Sequence, residues 1–249
     1  MINAVNTESI SAAKPLREAK TASEPIAGLS EMLYGSMWTR ELSAEQQQRV
    51  VADATERHVD VGAYVCRAGE PVDHWYGVID GLVKVSVMSA TGRLMTLTGV
   101  TAGAWFGEGS ILKTEPRRYD AIALRPTRVA CIPRATFKWL CDVSIPFNRF
   151  LVSQINERCG QFIAMLQADR LLDRDARVAH CLWILSNPQL YPGFGAHIEI
   201  SQEEIGHLAG LSRQQTNLAL HALEQRRLLR VDYRGITVLD LPGLGNVGA

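Results

Sequence analysis

Cysteine is scarce and scattered in this 249-residue chain: Cys66, Cys131, Cys141, Cys159 and Cys181 form no close pair at metal-ligand spacing. An odd, dispersed count with no leader-like stretch excludes a disulfide framework and leads us to expect reduced thiols in a cytoplasmic protein. Most of them are expected to be buried small hydrophobes. Long apolar runs are also missing. Nothing approaches the roughly 20 residues of a bilayer span, so a soluble chain without a membrane partner is expected. Excess charge of one sign is absent too, because 26 Lys and Arg balance 26 Asp and Glu. That excludes a broadly basic coat for nonspecific nucleic-acid binding but permits a local reading head. Catalytic patterns are lacking: there is no Ser/His/Asp order, no P-loop and no metal spacing. The adjacent Glu203 and Glu204 would face different sides of a helix. No enzyme, metal, haem or iron–sulfur cluster is therefore expected; His58 and His74 are lone surface histidines, not a haem ligand set.

What is present is concentrated between Ile200 and Val238, ISQEEIGHLAGLSRQQTNLALHALEQRRLLRVDYRGITV. Ser201 with Glu204 three positions on is a capping box that opens a helix. Ile205, Leu208 and Ala209 continue it at helical spacing, and Gly210 supplies the left-handed exit. Ser212 caps a second helix, for which Leu218, Leu220, Ala222 and Leu223 are the expected apolar positions. The pattern is a helix-turn-helix, a unit whose second helix can lie in a DNA major groove. Arg213, Gln214, Gln215 and Asn217 are long polar side chains suited to base edges, arginine to guanine and amides to adenine. Arg226, Arg227 and Arg230 are placed for phosphates, and Tyr233-Arg234-Gly235 reads as the tip of a wing.

The rest of the chain divides as follows. Residues 1–28 are rich in small and polar residues and read as a flexible tail. Residues 29–145 form a β-rich region that begins with a helix predicted from Leu42 to about Val59, capped by Ser43. Short strands are predicted at Gly62–Val65, Trp75–Ile79, Leu82–Val87, Leu94–Leu97 and Arg128–Ile132, a spacing that suggests a compact antiparallel roll. Residues 146–172 read as one long helix with an apolar stripe of Leu151, Ile155, Phe162 and Leu166 at nearly heptad spacing, a surface for dimerisation. Residues 173–249 hold another helix from Ala176 to Ser186, a strand at 197–200 and the helix-turn-helix. The fold class is α+β: an N-terminal antiparallel β-roll, a long dimerisation helix and a C-terminal winged helix-turn-helix.

This order of parts resembles the Crp/Fnr family of bacterial transcription regulators over about residues 30–240. Three segments carry the likeness. Gly69-Glu70-Pro71 with Gly77 through Val85 is similar to the family's glycine-punctuated strand pair. Trp105-Phe106-Gly107-Glu108, Pro116-Arg117, Ala121 and Ile132-Pro133-Arg134 resemble the phosphate-binding cassette of cyclic-nucleotide domains. Ile205-Gly206 with Ala209 through Arg213 resembles the family's DNA-reading turn.

The resemblance implies a homodimer on a near-palindromic double-stranded operator, with RNA polymerase as a further partner. It also implies an effector held by Gly107, Glu108, a cassette arginine and Arg158, the last pairing with Glu108. The cassette arginine is Arg117 by spacing, with Arg118 as contender. The chain departs from the pattern in having Arg118, Tyr119 and Asp120 where small residues usually follow, and in placing Phe162 and Ile163 where cyclic-AMP sensors present hydroxyls to adenine. Asp120 is expected to repel a phosphate unless Arg118 neutralises it. A cyclic nucleotide, a cyclic dinucleotide, a small metabolite and no effector at all remain open. The last would make the roll a scaffold or docking module. At the DNA, Arg213 matches the family's reader while Gln214 and Leu218 do not, so the operator sequence is expected to differ.

Overall fold

The computed structural model describes residues 28–92, 94–171, 173–193, 195–233 and 235–248, with side chains of the long helix described through Met165. The tail expected at 1–28 thus lies outside the described residues save for Gly28, and so do Arg234 and the side chain of Leu166.

Two helices lead in, α1 (Leu29–Gly35) and α2 (Ala44–Asp53). Ser43 caps α2 as expected, and Gln46 completes a capping box with it. That helix stops at Asp53, six residues short of the predicted end, because Thr55–Val59 forms strand β1 and pairs with residues 127–131. A ladder partner some 70 residues away outweighs local helical character here.

The strands β2 (Tyr64–Cys66), β3 (His74–Asp80), β4 (Leu82–Met88), β5 (Leu94–Thr101) and β6 (Trp105–Phe106) follow. Then come α3 (Glu108–Lys113), β7 (Asp120–Ala123) and β8 (Thr127–Pro133). They make two four-stranded antiparallel sheets, ordered β1-β8-β3-β6 and β2-β7-β4-β5. Val65, Val78, Val83, Val85, Val100 and Val129 fill the space between them. The outer face of the first sheet is covered by α1, α2 and α4 (Arg134–Val143) over an aromatic cluster. Trp38, Trp75 and Trp105 meet with ring centroids 4.4–5.2 Å apart, an arrangement worth more than its buried area alone.

The long helix α5 runs Ile145–Leu171. Its Leu151 and Phe147 are buried in that aromatic core, and Gln154 and Gln161 face the roll. The C-terminal unit comprises α6 (Arg174–Leu185), β9 (His197–Ile198), α7 (Gln202–Ala209), α8 (Arg213–Gln225), β10 (Leu229–Asp232), β11 (Gly235–Val238) and α9 (Leu241–Gly245). Its three strands form a sheet in the order β10-β11-β9. The unit docks on the roll through α7. Arg125 binds both carboxylate oxygens of Glu204 at 3.0 and 3.2 Å and the Glu199 carbonyl at 2.6 Å, and the Thr96 hydroxyl donates to the His207 carbonyl at 2.7 Å. Among the described residues no helix is long and apolar enough to cross a membrane, and no cluster of three or more metal-ligating side chains forms.

Candidate effector pocket and DNA-reading face

The turn leaving β6 shapes the first site. Gly107 adopts φ +97°, and a Cβ there would collide with the guanidinium of Arg117, so the position is restricted to glycine on two counts. The turn feeds α3, whose first residue, Glu108, is 6% exposed. Glu108 borders a cavity of about 350 Å³ between the second sheet, α3, residues 115–119 and α5. Its walls are mostly apolar: Val85, Leu97 and Val100 from the roll, Phe106 and Tyr119 beside the cassette, Ile155 and Phe162 from α5. Burial pushes the Tyr119 phenol well above its ordinary range.

Against these walls stand a few charged groups. Arg158 of α5 brings its Nε to 4.0 Å from Glu108 Oε1, too far for a hydrogen bond but close enough for charge attraction. The rest of that guanidinium donates to the Trp105 carbonyl, to the Tyr191 hydroxyl and to Gln161 at 2.9, 3.0 and 3.3 Å. Glu108 Oε2 is buried with no hydrogen-bond partner. Such an oxygen is costly to leave unpaired and is a ready acceptor for an incoming donor. At the mouth, Arg118 and Lys113 also line the cavity. Arg118 grips Glu115 through two contacts of 2.8 Å, which holds the Glu115 carboxyl below its usual range.

The two candidate cassette arginines therefore part company. Arg117 is 3% exposed and does not line the cavity. It donates to the Gly107 carbonyl at 2.9 Å and to the His74 carbonyl, with its guanidinium 5.2 Å from the Tyr76 ring centroid. Spacing alone favours Arg117 as the cassette arginine; in the structure Arg117 is committed to the backbone that shapes the turn, and Arg118 is the one that lines the cavity. Asp120 is likewise occupied elsewhere, accepting from the Ala68 amide at 2.9 Å, and Arg118 pairs with Glu115 in its place.

The stripe expected for dimerisation changes face by one residue. Leu151 is 3% exposed and belongs to the chain's own core, which takes it off any surface offered to a second copy. Beyond Ile145 at the helix start, the exposed apolar side chains among the described residues of α5 are Val152, Ile155, Phe162 and Ile163, at 70, 41, 40 and 57% exposure, with Cys159 among them. Positions 152, 155, 159 and 162 keep a 3.5-residue period, the spacing of a coiled-coil seam.

In the C-terminal unit both capping boxes form. Ser201 accepts from the Glu204 amide while its own amide donates to Glu204 Oε2 at 2.6 Å, and Ser212 and Gln215 do the same. Gly210 takes the left-handed exit at φ +65°. Gln215 spends its side-chain carbonyl on the Ser212 amide at 3.1 Å, and Asn217 donates to Gln202 at 3.0 Å. Of the expected base readers, Arg213 and Gln214 are exposed without such ties to the helix start. Leu218, one of the apolar positions and also aligned with a family reader, is 48% exposed, whereas Thr216 and Ala219 are buried with Leu220 and Leu223. The outward face of α8 thus runs Arg213, Gln214, Leu218 and His221; His221 lies about one turn beyond the polar cluster at 213–217 and was not among the expected readers. Arg226 and Arg227 are exposed beyond the end of α8, while Arg230 is paired with Asp232 at 2.8 Å. Tyr233 at the wing tip is 97% exposed.

Comparison with known proteins agrees with this architecture. The cyclic nucleotide-binding domain profile matches residues 56–144, and the Crp-like helix-turn-helix domain profile matches residues 176–247. Transcriptional regulator LdrP of Thermus thermophilus is 32% identical over 179 residues, covering 71% of this chain and 88% of that protein. The cAMP-activated global transcriptional regulator CRP of Pasteurella multocida is 29% identical over 175 residues, 69% of this chain and 83% of that one. Among solved structures, FixK2 from Bradyrhizobium japonicum superimposes with a TM-score of 0.65 at 22% identity, over 79% of this chain and 98% of the other. The c-di-GMP responsive regulator CLP of Xanthomonas campestris does so with a TM-score of 0.56 at 22% identity, over 79% and 99%.

Proposed function

The chain belongs to the Crp/Fnr family of transcription regulators, and from that premise we propose that the cavity under α3 is an effector site controlling how the protein holds DNA. The protein is a Crp/Fnr-type transcription regulator that binds DNA through its helix-turn-helix; we infer that it works by binding and not by turnover. The observation that carries the effector reading is the buried, unpartnered Oε2 of Glu108 on a cavity of about 350 Å³. The ligand is a compact molecule with a hydrogen-bond donor for Glu108 and an anionic group for Arg118 and Lys113, which it wins from Glu115. A cyclic nucleotide meets both demands. Its base would rest on Phe162 and Ile155, which offer apolar contact and no hydrogen bond, so selectivity between adenine and guanine should be weak. Gly107 borders the site beside Glu108, and Arg117 holds the turn that carries them.

Two copies join along Val152, Ile155, Phe162 and Ile163, with Leu166 continuing the spacing in sequence. Apolar surface removed from water contributes roughly 25 cal/mol per Å². The two-fold axis presents two α8 helices to successive major grooves, with half-sites about 34 Å apart on a near-palindromic operator. Arg213 and Gln214 are the leading base readers, with Asn217 and Gln215 beside them. Ser201 and Ser212 present the helix starts to phosphates, and Arg234, by its place in the sequence, is a further phosphate contact. RNA polymerase is the further partner. The test is fluorescence anisotropy on the protein's own upstream DNA at one salt concentration, with no ligand, cyclic AMP, cyclic GMP or cyclic di-GMP. Tighter binding with the mononucleotides supports the reading; identical, sequence-selective binding in all four refutes nucleotide control.

A further inference from the structure

We propose that Tyr191 is the positioning residue through which the pocket sets the DNA-binding unit, an inference that rests on the cavity being the effector site. Tyr191 lies between α6 and β9, within the C-terminal unit, yet its side chain is fully buried against the outer side of the cavity wall. Its hydroxyl is 2.6 Å from Thr98 Oγ1 and receives hydrogen bonds from Arg158 Nη1 at 3.0 Å and Gln161 Nε2 at 3.1 Å. Thr98 and Arg158 both border the cavity. A phenol offers one proton and two acceptor sites. With Arg158 and Gln161 donating into it, the Tyr191 proton has two acceptors in reach, Thr98 Oγ1 at 2.6 Å and Gln161 Oε1 at 3.2 Å, and the capacity of the hydroxyl is used up.

On the other side of Arg158 the situation is reversed. Glu108 Oε1 waits at 4.0 Å and Oε2 has no partner. Arg158 is therefore shared between a carboxylate on the pocket and a hydroxyl belonging to the DNA unit. A ligand that satisfies Glu108, or that draws Arg158 inward, changes the bond left for Tyr191.

The segment carrying Tyr191 cannot absorb such a change locally. Asn187 donates to Glu157 at 2.8 Å and Gln189 to Ser153 at 2.6 Å, which ties the segment to α5. Gly193 sits so tightly on the Ala102 carbonyl that a Cβ would come within 2.5 Å of its oxygen. Displacement of the Tyr191 hydroxyl consequently passes to α6 and to the setting of α7, which Arg125 holds on the roll. Close-packed contacts of this kind switch between discrete arrangements instead of deforming smoothly.

The test is a double-mutant cycle on DNA affinity, without ligand, using the full chain and a duplex that the wild type enriches from a random pool. The four proteins are wild type, Glu108→Gln, Tyr191→Phe and the double variant. Neutralising Glu108 releases Arg158 to Tyr191, so Glu108→Gln shifts Kd in the wild-type background and has little left to act through once the hydroxyl is gone. The expected double-variant Kd departs at least threefold from the product of the single fold-changes. Agreement with that product within threefold overturns the proposal. Thr98→Val removes the same contact from the roll side and must reproduce the coupling loss; it replaces Tyr191→Phe in the cycle if that variant does not fold. If the wild type enriches no duplex, the regulator reading fails, and this proposal falls with it.

Discussion

Replacing Arg117 by alanine separates the two arginines of the cassette by stability and not by ligand response. Arg117 is 3% exposed and donates to the carbonyls of Gly107 and His74. Hydrogen bonds to a charged group contribute about 1.5–3 kcal/mol each, and alanine leaves both buried acceptors unpaired. The Tyr76 ring at 5.2 Å adds a cation–π contact of roughly 0.5–2 kcal/mol. Arg117→Ala is therefore expected to cost roughly 4 kcal/mol, which lowers Tm by roughly 8–16 °C for a chain of this size. Arg117→Lys keeps the charge but cannot fork between two carbonyls, and should fall between the two. Arg118→Ala, at an exposed side chain held only by Glu115, should leave Tm essentially unchanged while weakening the response to an anionic effector. Calorimetry of the three variants, paired with the anisotropy titration, checks this. Wild-type Tm for Arg117→Ala, together with loss of effector response, would refute the reasoning and return Arg117 to the ligand.

Three further outcomes follow from the surface of α5 and the burial of the thiols. Phe162→Ser removes a 40% exposed ring from the seam and should shift the monomer–dimer equilibrium toward monomer in sedimentation, with no fall in Tm of the isolated subunit; an unchanged dimer would place the interface elsewhere. Burial pushes the Cys66 thiol up to about 11. A raised pKa means less thiolate, so at pH 8 only roughly one in a thousand Cys66 side chains is nucleophilic, and a thiol reagent should not label it before unfolding. Cys159, exposed on the seam, should react quickly in Phe162→Ser and slowly in the wild-type dimer. Equal rates in both would argue against a seam at that residue.

Much of the fold could be read locally. Both helices of the helix-turn-helix start where Ser201 and Ser212 meet a capping partner three residues later, and the first ends where Gly210 takes a left-handed turn. Such signals lie within one turn of chain, so tertiary contacts seldom overrule them. The Gly107–Glu108 turn was legible through its resemblance to the phosphate-binding cassette, and the 27-residue helix through its apolar stripe. Thr55–Val59 was not, since its strand exists through pairing with β8, and that partner is invisible to a window of neighbouring residues.

Which side a residue faces was decided only by the tertiary structure. Leu151 and Val152 are equally apolar neighbours on a helix, and the aromatic cluster beneath α5 selects Leu151 for the core and leaves Val152 outside. Gln215 has the chemistry of a base reader, and its side chain is spent on the cap of Ser212. Arg117 and Arg118 are identical in kind and adjacent. The Arg117 backbone exchanges hydrogen bonds with Gly69 and Glu70, which fixes the segment as extended and sends successive side chains to opposite faces. The sequence by itself determined that an arginine would stand beside the cassette turn. Pairing with the turn at Gly69–Glu70, some 50 residues earlier, decided which of the two enters the protein and which faces the pocket, because a one-residue change of register exchanges them.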